Sequence, residues 1–600
     1  MRVLLISLFT LFLFQVAAQS SDEELAAHYY NSGDYEKAVV LYKRLHKTKP
    51  SSVYIYENYL NSLIALNNIK ESTSLVKKMI KKNPKSLNYK VDLGYVYDQM
   101  SKGEMAESHF EKLINEYKKD QYQISHLAQA FLKRQYTQWA IKCFEAGSDE
   151  HGLKYFWMSL MNMYRNTGEY QKATDIGLEV IKAEPRRMKS VAYQFSRMLE
   201  KEESADYIQQ QTLVYSQKNP GIGAFDELLM QIYLEQKKFS AAFRQAKAMD
   251  LRHNEGGQRL LNLGQICVNN EAYDIASLCY QELIDKGRNS RYYIDGRVGF
   301  LNASFLNISS KLNTSLERKM NLISEYETFL NDFGYSRGTS LSMKRLAELY
   351  LFHIYETDKG ISILSELLQI RNLGVDFAGE SKLLLADAYL IKGEVWEAKL
   401  LYGQVDKEFK EDALGQEAKF RSARLSYFLG DFEWAKDQLD ILKAATSQLI
   451  SNNALDLALH IQDNVGLDTS YDAMTEFAHA EFLLFQNRLK ECMDVLDILP
   501  VLYPNHSLED EVLYLKARLM VKKKNFDEAL KLYNEIYTNY SYDILADNAL
   551  FQAAELYLDV MGDQKSALSL YEKLILDYNS SLYVVEARKK YEKLRSTLIP

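Results

Sequence analysis

Proline and glycine are scarce in this sequence, with 7 and 26 residues respectively in a chain of 600. Proline breaks helices because it lacks an N–H and clashes with the preceding turn; glycine weakens them through its conformational entropy. Their scarcity, beside 47% hydrophobic residues and an abundance of Leu, Ala, Lys, Glu and Tyr, argues against strands and for long helices. Histidine is also sparse. The ten histidines are dispersed, none stands in a His-Glu-x-x-His arrangement, and no Cys or His pair has zinc spacing. No Walker loop, Gly-x-Ser-x-Gly elbow or dinucleotide-binding glycine cluster occurs. "HNEGG" at 253–257 follows no strand pattern and reads as a turn. No enzyme activity, cofactor or metal is expected from this inventory.

The four cysteines, Cys143, Cys267, Cys279 and Cys492, are scattered without a close-spaced pair. They read as buried thiols used for packing, since free cysteine behaves as a small hydrophobe. Cys267 and Cys279 form the one pair placed to bridge. Charge is equally undramatic. A formal net charge of −8 is mild for this length, and Lys-rich runs such as "KKMIKKNPK" sit beside acidic neighbours. No basic stripe for nucleic acid results.

The chain opens with "MRVLLISLFTLFLFQVAAQSSDEE", one Arg, an apolar run and then small residues. This is the layout of a cleavable secretory signal over residues 1–18, with cleavage after Ala18. The run from Val3 to Phe14 falls short of the ~20 residues that span a bilayer. No cysteine follows it, so a lipid-anchor box is missing. No later segment has the length and apolarity of a span, and the expectation is an exported protein without a transmembrane segment in its mature part.

A chain this long must divide into domains or stack small units. Internal repetition decides for stacking. Pro50 and Pro84 stand 34 residues apart, and Pro185 and Pro220 stand 35 apart. Ahead of the first of these, Leu25, Ala26 and Tyr29 share one helical face, and Ala38, Tyr42 and Leu45 share another. Gly33 separates the two helices, and Pro50 stops the second. The same register recurs at Gly94, Tyr97, Ala106 and Phe110, at Ala128, Phe131, Ala140 and Phe144, and at Tyr164, Gly168, Tyr170 and Ala173. It returns at Leu263, Gly264, Ala276 and Tyr280, at Ala386, Tyr389, Gly393, Ala398 and Tyr402, and at Ala423, Gly430, Phe432 and Ala435. Later units hold Ala480, Cys492 and Leu496, then Ala517, Phe526, Ala529 and Tyr533, then Tyr557, Ala567 and Tyr571.

These residues and their spacing resemble the tetratricopeptide repeat, whose pattern has small residues at positions 8 and 20, glycine at 15, an aromatic at 24 and proline at 32. The resemblance implies an all-α fold, an α-solenoid of stacked helix-turn-helix units coiled into a superhelix. Each unit would leave an apolar face that only its neighbour covers. About fourteen or fifteen units would fill the mature chain at the ~34-residue period. The expected organisation is a repeat array over 19–285, irregular or divergent helices over 286–375, and a second array over 376–600 that ends in a capping helix.

Two stretches resemble narrower families. "LFQAAELYLDVMGDQKSALSLYEKLILDYNSSLYVVEARKKYEKL" is similar to the repeats of the outer-membrane assembly lipoproteins, with Asn579 in place of their proline and no lipid-bearing cysteine. The block at 430–464 resembles exported tetratricopeptide proteins of Bacteroidota. Together these imply a non-enzymatic scaffold of the bacterial cell envelope that binds protein partners, among them envelope components, on its inner wall. Alternatives are a part of the outer-membrane assembly or secretion machinery, a carbohydrate-uptake surface protein, or a regulator of an envelope enzyme.

The repeat resemblance also implies which side chains line that wall. Position 9 of successive units gives Asn61, Tyr95, Gln129, Asn162 and Gln265, largely amides able to pair with an extended peptide backbone. They read equally as solvated polar positions. Position 5 holds Glu57 and Met158, so the basic clamp of chaperone-binding members is not matched. In the C-terminal half, Phe420, Arg424, Tyr427 and Phe428 project from one unit and Tyr514, Arg518 and Lys522 from another. Arginine beside aromatics is the composition of interface hot spots, and packing between helices is the competing use of those rings.

Overall fold

The computed structural model describes residues 22–410, 412–443, 447–465 and 471–598. The expected signal segment at 1–18 lies outside them. Among the described residues there is no strand, and helices succeed one another as helix-turn-helix pairs, each packed on its sequence neighbours. The fold is an all-α stack of tetratricopeptide-type repeats.

The turn inside each pair follows from one backbone requirement. Gly33, Asn67, Ser101 and Gln135, each 34 residues after the last, all have φ between +52° and +81°. The left-handed residue lets the next amide reach back five residues: Asp34 N–H donates to Tyr29 O at 2.9 Å, and Asn68, Lys102 and Tyr136 repeat the bond to Leu63, Tyr97 and Phe131. Two terminal carbonyls of the first helix are thereby satisfied without extra residues. Asp34 and Asn68 then cap the second helices, accepting from Lys37 N–H and Glu71 N–H. In later repeats the interval lengthens: Gly393 to Gly430 and Asn487 to Lys524 are 37 residues, and Lys524 to Gly562 is 38.

Packing within a pair couples a small residue on the first helix to a ring 16 positions later on the second. Ala26 and Tyr42, Ala128 and Phe144, Ala386 and Tyr402, and Ala517 and Tyr533 are all buried. Each ring contributes about 1.5–3 kcal/mol by leaving water, but only while the adjacent repeat covers it.

The chain forms two compact units that divide at Gln245 and Ala246, inside the helix Phe239–His253. The first unit begins with the helix at 22–31 and the helix Tyr35–Thr48. The second begins its regular stacking with Gln258–Asn269 and Tyr273–Asp285 and ends with Val584–Leu598, which closes the array against buried Ala567 and Leu574. Between 286 and 375 lie two long helices, Tyr293–Ser309 and Leu316–Phe333, of 17 and 18 residues. Near the end of that stretch a π turn, Leu349–His353, widens the helix that starts at Ser340 and leaves Phe352 exposed.

One helix of the second unit belongs to no pair. Gln448–Val465 follows Phe432–Leu442, packs on it, and precedes the pair Asp472–Phe485 and Leu489–Leu502. Its apolar side, with Ile450, Ala454, Ala458 and Ile461, is buried in the same core as its neighbours. Elsewhere in this unit Lys524 Nζ donates to Thr314 O at 3.3 Å across 210 positions. The ladder of repeats thus returns upon itself within the unit.

Candidate functional site

In the first unit, the expected inner-wall residues sit on consecutive first helices. Asn61 is half-buried, and its Nδ2 donates to Tyr30 Oη at 3.4 Å. Tyr95 lies beneath Arg134, whose guanidinium carbon is 4.7 Å from the ring centre. Arg134 Nε in turn donates to Asp92 Oδ1 at 2.7 Å, and Tyr56 Oη donates to the other oxygen at 2.8 Å. One buried carboxylate therefore ties three successive first helices. Gln129 is exposed and Asn162 half-buried. Gln265 belongs to the second unit, exposed, with its amide donating to Asn269 Oδ1 on its own helix.

The C-terminal candidates behave differently. Phe420, Arg424, Tyr427, Tyr514 and Arg518 all line a single cavity of about 600 Å³ in the second unit. Three first helices, Ala413–Phe428, Asp472–Phe485 and Glu509–Lys522, supply most of its wall. The unpaired helix Gln448–Val465 crosses them, and Phe352 of the π turn adds a further ring.

A polar network fixes the crossing helix in place. His460 carries Nδ1 3.6 Å from Glu511 Oε1, while its Nε2 lies 3.3 Å from Tyr427 Oη. Tyr427 Oη donates to Glu481 Oε2 at 2.8 Å, leaving a lone pair for a protonated His460 ring. Asn464 Nδ2 donates to Glu511 Oε1 at 2.9 Å, and Ser507 Oγ donates to Asn464 Oδ1 at 2.7 Å. One helix is thus locked to three repeats. Tyr427 has no exposed surface; its ring serves this network, and burial, with Glu481 second, holds its phenol neutral.

Charge in the network is distributed by burial. Burial raises the Asp510 carboxyl to about 9, helped by its hydrogen bond to Glu511. Glu511 feels burial too, yet the hydrogen bonds of His460 and Asp510 hold it down at about 2. For His460 burial works against the charged form, and Glu511 and Glu481 outweigh it, raising the imidazole above its ordinary value. Around neutral pH Glu511 is the anion of the trio and Asp510 a neutral acid, with His460 biased toward its charged form.

The cations of the cavity are less evenly matched. Arg518 Nη1 reaches Glu481 Oε1 at 3.5 Å. Arg424 lies between two rings, 5.9 Å from the Phe428 centre and 5.1 Å from that of Phe485. Its Nε is shielded from solvent and has no hydrogen-bond partner among the described residues. Lys522 Nζ donates to Leu484 O at 3.0 Å.

Sequence reasoning named seven of the lining residues, Phe428 and Lys522 among them, but missed His460, Glu511 and Phe485, and Asn464 behind them. The helix that carries His460 and Asn464 follows no repeat register. Its only sequence signal was a helical apolar stripe interrupted by His460 and Asn464. Among the described residues no group of three or more His, Cys, Asp or Glu could hold a metal ion, and no helix is long and apolar enough to cross a membrane.

The sequence model of the tetratricopeptide repeat matches residues 511–541 and 548–581. These cover the pair Glu509–Lys522 and Phe526–Asn539 and most of the following one, so the cavity wall includes a matched repeat. No curated protein sequence matches the chain. Among solved structures the chain is similar to one titled as Naa15/Naa10 bound to HypK-THB, at 14% identity over 96% of both chains with a TM-score of 0.28. It is also similar to the Cut9-Hcn1 hetero-tetramer of the APC/C, at 12% identity over 90% of this chain and 96% of that one, TM-score 0.24. A tetratricopeptide repeat protein from Parabacteroides merdae ATCC 43184 shares 10% identity over 47% of this chain and 92% of its own, TM-score 0.27. Helix pairing, turn geometry and the matched segments agree: the chain carries tetratricopeptide repeats and is built as a helical repeat scaffold of that type.

Proposed function

We propose that this protein is a non-enzymatic interaction scaffold of the bacterial cell envelope, whose first-helix surfaces hold segments of partner proteins. The observation that carries the reading is the gathering of Tyr514 and Arg518, on a matched repeat, with Phe420 and Arg424 around one opening. Aromatic and arginine side chains concentrated at a concave site are the usual anchors of protein recognition. Repeat arrays of this kind generally bind proteins and do not catalyse. The secretory layout of residues 1–18 supports export, and the partners are accordingly envelope components.

The test is capture from native envelope extract with the full chain and with a Tyr514→Ala, Arg518→Glu variant, each followed by mass spectrometry. The expected result is one envelope complex recovered by the wild type and lost by the variant. Equal recovery by both, or recovery of nothing above background, overturns the proposal.

A further inference from the structure

The C-terminal cavity has a property that partner docking does not require. Its volume of about 600 Å³ falls in the range of small-molecule sites, ~300–1,000 Å³. Its walls are rings and aliphatic chains: Phe352, Phe428, Phe477, Phe485, Leu457 and Leu515. Such a lining with a few fixed polar groups is the composition of a ligand pocket, where apolar area supplies affinity and the polar groups set orientation.

Two acids of the lining are already engaged, and two of its cations have no carboxylate partner. Glu511 accepts from Asn464 and faces His460. Glu481 accepts from Tyr427 and Arg518. Asp456 is exposed, so water screens it. Arg424 and Lys522, by contrast, form no ion pair with any described carboxylate. The neighbouring Arg421 shows what a structural arginine does in this fold: it donates to both Asp387 and Glu417. Arg424 stands three residues on, held by Phe428 and Phe485, with a shielded Nε and no carboxylate. A buried guanidinium nitrogen without a partner costs free energy, and an anion entering the cavity would remove that cost.

We propose that this cavity binds a small apolar carboxylate, its acyl or aryl body among the rings and its carboxylate on Arg424, with Lys522 adding a second positive charge. The proposal goes beyond partner binding and does not depend on it. A ligand there would also touch His460 and Glu511, which join the crossing helix to the matched repeat.

Isothermal titration of the full chain with decanoate and hexadecanoate tests it, with 1-decanol as the neutral match. Saturable carboxylate binding is expected, weaker by about tenfold or more for the alcohol and for Arg424→Gln, the usual effect of losing a charge-assisted hydrogen bond. Lys522→Gln, at an exposed position, is expected to weaken binding by about threefold. Circular dichroism confirms that each variant is folded. No saturable binding of either carboxylate, equal binding of the alcohol, or unchanged affinity in both Arg424→Gln and Lys522→Gln overturns the proposal.

Discussion

The ring of Phe110 fills the space that a side chain on Gly94 would need, since a Cβ there would lie 2.1 Å from Phe110 Cε1. Two effects of Gly94→Ala oppose each other. Alanine favours the helix by about 1 kcal/mol, while overpacking a filled core costs about 1–3 kcal/mol. At that distance the ring must move, so the clash wins and the variant loses about 1–2 kcal/mol net. Gly403 is the control: it lies within the helix Val395–Glu408, and nothing stands within 4 Å of the place its added methyl would take. Gly403→Ala should gain about 0.5–1 kcal/mol. Urea midpoints of the two variants should move in opposite directions.

Turn residues give a second prediction. Gln135 and Glu271 occupy the left-handed turn with φ of +62° and +61°, where Gly33 and Gly168 sit at +81°. An L side chain in that region costs about 1 kcal/mol relative to glycine. Both positions are exposed, so no packing is lost by trimming them. Gln135→Gly and Glu271→Gly should each stabilise by about 0.5 kcal/mol, once the larger unfolded-state entropy of glycine is deducted. Thermal melts of the single and double variants check this, with a fall in melting temperature for both counting against it.

The same turns explain how much of the fold could be read from the chain. Where glycine fills the left-handed position, as at Gly33, Gly168, Gly393 and Gly430, the helix ends were legible. Where Asn67, Ser101, Gln135 or Lys237 fills it, the geometry is the same and the letter is silent, because tertiary packing sets the φ. Small residues opposite rings carried the register through those gaps. The helix Gln448–Val465 carried neither signal, since it belongs to no helix-turn-helix pair, and the polar network around it joins positions as distant as Asn464 and Glu511. Contacts across 47 positions are set by the coiling of the array, which local spacing does not encode. Tyr427 shows the same limit: it lies on the cavity side of its helix, but its complete burial depends on that extra helix.

The cysteines provide a third test. Cys143, Cys267, Cys279 and Cys492 are all free and buried. Burial raises the Cys143 thiol and pushes that of Cys492 up to about 11. Cys279 is raised first by its hydrogen bond with Cys267 and then by burial. Thiolate is the reactive form, and although its hydrogen bond with Cys279 lowers the Cys267 thiol, burial shields all four from reagent, so iodoacetamide at mildly alkaline pH should label none of them in the folded protein. Denaturation without reductant should expose all four to labelling, read by intact mass. Labelling of only Cys143 and Cys492 after denaturation would show that the 267–279 pair had oxidised.

A last prediction concerns Asp510, whose side chain must share buried space with Glu511. Because its carboxyl is raised to about 9, the folded protein holds a proton there that the unfolded chain releases near pH 4. Stability therefore falls as pH climbs from about 4 through 9, since the folded state binds more protons over that window. His460, raised above its ordinary value, acts in the same sense: its contribution is full below about 6.5 and is lost as pH rises through the folded value. Glu511, held at about 2, contributes only above about 4.5 and is lost in acid. On the alkaline side all the loss comes from the first two groups. Asp510→Asn keeps a donor toward Glu511 and removes the proton, so the decline between about pH 7 and 9 should become shallower and the variant should exceed the wild type at the upper end. Hydrogen exchange of the helix Glu509–Lys522, followed across pH, reads this locally, which matters because repeat arrays need not unfold as a single unit. An unchanged pH dependence in Asp510→Asn would show that Asp510 is ionised in the folded protein and that the charges of this network are divided differently.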